Sequence, residues 1–97
     1  MLVVVPSLLF LEVLNIVGRR WTWDEPELLE LSDALDDLGF DVAEPELRSV
    51  ATWTARGLTA YDSVYVALAG ERGTHLLTDN RQILDAATVL ARPLIEE

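Results

Sequence analysis

Single glycines divide this 97-residue chain into short elements, and that punctuation restricts its folding more than any other feature. Gly18, Gly39, Gly57 and Gly73 each close a stretch of helical periodicity, and none belongs to a glycine-rich phosphate loop. Residues 2–5 form a β-branched run closed by Pro6 and read as a buried strand. Residues 7–18 follow as a helix that is apolar nearly all round. Residues 24–38 place Leu28, Leu31, Leu35 and Leu38 at helical spacing, with Thr22-Trp-Asp-Glu25 available as a capping box. Residues 40–42 make a minimal strand. Pro45 fits the first turn of a helix whose face is Leu47, Val50, Ala51 and Thr54. Residues 60–72 predict a further helix, 75–77 a strand, 81–87 a short helix, and 89–94 a last strand broken by Pro93. Strands that alternate with helices predict an α/β chain with a parallel sheet and right-handed crossovers.

A chain of this length supports one core, so a single domain over residues 1–97 is expected. No apolar run reaches the roughly 18 residues that span a bilayer, and a soluble chain with no membrane partner follows. The absence of cysteine removes disulfides, thiol nucleophiles and thiolate metal sites, and it fits a cytoplasmic location. Residues 1–17 are apolar but lack a basic leader and carry Glu12 and Asn15, which argues against a signal peptide.

Charge is distributed unevenly. Seventeen acids against seven arginines and no lysine give −10. Residues 24–46 hold ten of those acids and no base, so the rest of the chain is balanced. Such a block has the composition of a solvated helix face. It also makes the chain a poor non-specific ligand for nucleic acid, because attraction to phosphate needs clustered cations. Nucleic acid would have to be held through a bridging metal or a local arginine cluster.

One histidine, His75, lies in a strand-like run and reads as structural, which leaves little material for a serine–histidine hydrolase or an imidazole metal site. Chemistry therefore falls to oxygen ligands at the carboxyl ends of strands, where parallel sheets build their sites. Glu12 interrupts an apolar helix surface among Leu8, Leu9, Asn15 and Ile16; it is either a ligand or part of a thin polar line, Glu12-Asn15-Arg19, that faces water. Thr59-Ala-Tyr-Asp62 fits a capping box, a role that needs no catalysis but is compatible with it. Asp79 and Asn80 precede the last helix, and either is a natural N-cap.

Three segments in order carry a family resemblance: Pro6-Ser-Leu-Leu-Phe-Leu-Glu12-Val-Leu-Asn15, Leu58-Thr-Ala-Tyr-Asp62-Ser-Val-Tyr-Val-Ala-Leu-Ala69, and Leu76-Leu-Thr78-Asp79-Asn80-Arg81. Together they resemble the PIN-domain family, and more narrowly its small VapC-type toxin ribonucleases of bacterial type II toxin–antitoxin pairs. The resemblance implies a three-layer α/β/α fold around a parallel sheet. It implies an endoribonuclease that cleaves RNA phosphodiesters with Mg²⁺ or Mn²⁺ on an acidic cluster, a cognate antitoxin as partner, and assembly as a homo-oligomer. Carried over by motif, Glu12, Asp62 and Asp79 are the catalytic residues, and Glu12, Asp62, Asp79 and Asn80 the metal ligands. Hard cations suit such a set, since they take oxygen ligands and retain waters.

Two features depart from the family pattern. The family's opening strand, which ends in an aspartate, has no counterpart before Met1, so the resemblance implies an N-terminally truncated fold. The last motif reads Thr78-Asp79-Asn80, which puts an amide in the acid's place. Two outcomes are therefore expected to compete: a working metal-dependent nuclease, and a catalytically impaired remnant that binds a protein partner. The absent strand would lie between residues 2–5 and 75–77, and the gap is expected to close by direct pairing or by another chain. Glu12 and Asp62 are expected to approach within one cation's reach.

Overall fold

The computed structural model describes residues 4–74, 76–77, 81–87 and 90–92. By its internal contacts the chain divides into two compact units, Met1–Val42 and Ala43–Glu97.

In the first unit β1 (Val4–Val5) passes through Pro6 into α1 (Leu8–Arg19). Ser7 precedes α1 without a side-chain cap; the amides of Leu9 and Phe10 instead turn back to Pro6 O and Ser7 O, both at 3.1 Å. Gly18 was expected to stop α1 but lies inside its last turn. A Cβ there would stand 3.6 Å from Leu28, so the glycine sits where the two helices run close together. The second helix, α2 (Glu25–Asp37), starts with a complete capping box: the Asp24 carboxylate accepts the Glu27 amide at 3.0 Å, and Glu27 accepts the Asp24 amide at 3.1 Å. That box lies two residues later than the expected Thr22–Glu25 one. Thr22 is left in a left-handed turn, with φ 52°. Gly39, at φ 74°, ends the helix, and β2 (Asp41–Val42) returns parallel to β1, Val4 opposite Asp41 and Val5 opposite Val42.

The second unit begins with α3 (Leu47–Ala55), whose entry is held by Glu71: its carboxylate accepts the Glu46 amide at 3.1 and 3.2 Å. Of the expected α3 face only Val50 is buried. Leu47 is 81% exposed, and Trp53 packs on the core in its place. Helix α4 (Ala60–Arg72) is the centre of this unit, burying Ser63, Val66, Ala67, Leu68 and Ala69. Gly73, at φ 64°, closes it with two reversed bonds, Thr74 N–H to Ala69 O at 3.0 Å and Gly73 N–H to Gly70 O at 3.3 Å. This is a Schellman turn, and only glycine enters it without strain. Then come β3 (Leu76–Leu77), α5 (Arg81–Ala86) and β4 (Ala91–Arg92), with β3 and β4 parallel and Leu76 opposite Ala91. Leu58, Val66, Ile83, Ala87 and Ala91 form the core, packed over by Trp53, Leu76, Leu84 and Leu90.

Among the described residues the expected three-layer α/β/α sandwich is not formed. The described chain is 65% helix, and its strands pair as two separate two-stranded ladders, β1–β2 and β3–β4. Among the described residues each strand spans two residues, a ladder too small for helices to cover on both faces. The helices carry caps and glycine stops that act locally, whereas nothing local joins the four strands into one sheet.

Candidate active site

Asp62 owes its position to hydroxyls. The Thr59 hydroxyl accepts the Asp62 amide at 3.1 Å, which fixes the carboxylate in the first turn of α4, where the helix dipole favours negative charge. The next residue, Ser63, is fully buried; its amide and its hydroxyl both donate to Thr59 O, at 2.9 and 2.7 Å. Thr54 Oγ1 on α3 lies 3.1 Å from Ser63 Oγ and 2.8 Å from Val50 O, so its one proton is shared between them. A chain of hydroxyls thus ties the end of α3 to the start of α4. Asp62 itself is half-buried.

Glu12 lies in the second turn of α1, half-buried, on the polar line expected for it; Asn15 and Arg19 further along are exposed. Beside it Leu11, Leu14, Asn15, Gly18, Arg19 and Leu28 line a groove of about 450 Å³. Glu12 belongs to the first unit and Asp62 to the second. Asp79, Asn80 and His75 lie outside the described residues. Among the described residues no three carboxylates or imidazoles gather closely enough to hold a metal ion.

Asp62 and its cap are legible in the sequence, whereas two neighbouring features are not. The Thr54–Ser63 link crosses between helices, and no spacing rule reports it. The Arg56 guanidinium lies 4.5 Å from the centroid of the Trp53 ring, a stacked pair whose signal is the Trp-x-x-Arg spacing at a helix end. No family model, curated protein or solved structure matches the chain. No helix among the described residues is long and apolar enough to cross a membrane.

Proposed function

We propose that the chain is a metal-dependent endoribonuclease of the VapC toxin type, with Glu12, Asp62, Asp79 and Asn80 as its candidate oxygen ligands. The observation that supports it best is the start of α4, where the cap is made by Thr59 and locked by Ser63. Asp62 is thereby held on a rigid helix start rather than on a loop. A Mg²⁺ or Mn²⁺ ion bound there would supply a Lewis acid for the phosphate and an acidified water. The protein's part is to hold the carboxylates so that the ion's cost of dehydration is met by fixed negative charge. An antitoxin and a second copy of the chain are the partners this reading expects.

The test is cleavage of single-stranded RNA with millimolar Mg²⁺ or Mn²⁺. Cleavage is expected to be feeble, because the ligand set is small and one position is an amide. It should be abolished by chelation and reduced about 100-fold by Asp62→Asn or Glu12→Gln. Cleavage that survives chelation would refute the proposal.

The second reading is a protein-binding module without catalysis. It is favoured by the apolar side chains left exposed on the first unit, among them Leu11, Trp21, Leu29 and Leu38, at 58 to 63%. No cleavage by this chain under any divalent cation, together with tight capture of an antitoxin, would select it.

A further inference from the structure

The end of the second unit where α3 stops and α4 starts carries two exposed groups that the ribonuclease reading has not used. Tyr61 is 68% exposed. It precedes Asp62 by one residue, in a first turn fixed by Thr59 and Ser63. Ser63 faces inward, and successive helical residues step about 100° round the axis, so Tyr61 stands on the solvent side with Asp62 between the two. Tyr65, one turn further along, is half-buried.

The second group is Arg56, in the connector that leads to Thr59. It is exposed, and its guanidinium is held over Trp53, which packs against the core. Stacking fixes this cation in advance and leaves its edge donors open to a phosphate. The bland account, a stacked arginine that favours the carboxyl end of α3, explains Arg56 but not an exposed tyrosine beside the aspartate.

Charge makes the pair informative. A molecule at −10 with no lysine cannot collect RNA through a general cationic surface. Stacking of bases on aromatic rings depends little on charge or sequence, and it suits single strands, whose bases are open. We propose that this end of the unit holds single-stranded RNA, with Tyr61 stacking a base and Arg56 gripping a phosphate beside Asp62. The inference rests on the ribonuclease reading and names the residues that would position its substrate.

The experiment measures fluorescence anisotropy of a labelled single-stranded RNA of mixed sequence, with Ca²⁺ in place of Mg²⁺, and Mg²⁺-dependent cleavage in parallel. Tyr61→Ala should weaken binding about tenfold while Tyr61→Phe binds like the parent, because a ring and not a hydroxyl is needed. Arg56→Ala should weaken binding and lower the slope of affinity against salt by about one. Both residues are exposed, and circular dichroism should show the fold unchanged. A parent that cleaves RNA, with Tyr61→Ala and Arg56→Ala binding as it does, overturns this inference and leaves the ribonuclease intact; the tyrosine would then be free for a protein partner. A parent that neither cleaves nor binds overturns both.

Discussion

The two units turn apolar residues to opposite uses. In the first, α2 begins with a full capping box yet buries no residue, and Leu11, Ile16, Trp21, Trp23, Leu29, Leu38 and Val42 all stand exposed. In the second, α4 has a simpler cap and buries five residues, around a cluster that includes Val66 at 0% exposure. A cap decides where a helix starts, and packing decides whether it stays. The first unit is thus well specified locally and weakly held; the second is held by its core.

The sharpest way to break that contrast is a charge in each unit. Val66→Asp puts a carboxylate where no water reaches and should cost the second unit about 4 kcal/mol or more, enough to unfold it in a urea titration. Leu29→Asp, on the exposed side of α2, should change the midpoint by less than about 0.5 kcal/mol. Equal effects would mean that the first unit has a core not seen here. A smaller effect should follow Ser63→Ala. It removes the hydroxyl that joins Thr54 to Thr59 and should cost about 1–2 kcal/mol, seen as faster amide exchange at the start of α4. If Asp62 is a metal ligand, the same change should also weaken Mg²⁺ activation at unchanged helix content, a readout that a purely structural serine would not move. Smallest is Asp24→Ala. Loss of the capping box should cost about 1 kcal/mol and appear as exchange confined to α2, with the second unit unmoved. An effect that spread into α4 would join the two units energetically and undo the comparison.

What could be read in the sequence follows the same division. Helix α4 ends where Gly73 was expected to end it and begins at the Thr59 cap, because both signals act within a few residues of their cause. The box of α2 was placed two residues early because Thr22-x-x-Glu25 and Asp24-x-x-Glu27 fit one pattern equally well; Pro26 in the first turn belongs with the second. Periodicity cannot say which side of α3 a neighbour covers, and Leu47 is exposed while Trp53 packs on the core. The sheet was overestimated for a related reason. Short apolar runs such as residues 2–5 report burial, whereas strand pairing depends on partners distant in the chain. At the site, Asp62 could be placed from its cap, but the hydroxyls that fix it come partly from α3, where Thr54 lies nine residues before its partner Ser63.

The ladder between β1 and β2 joins the two ends of the first unit with only two residues from each strand. Closing it means gathering the whole stretch that holds α1 and α2, and the entropy lost is set by that length while the bonds gained are few. Contacts so separated in sequence form late. The order of assembly that follows is α1 and α2 together, through their contact at Gly18, and the ladder last. In reverse, the first unit should open from its ends like a clasp, on a timescale shorter than global unfolding.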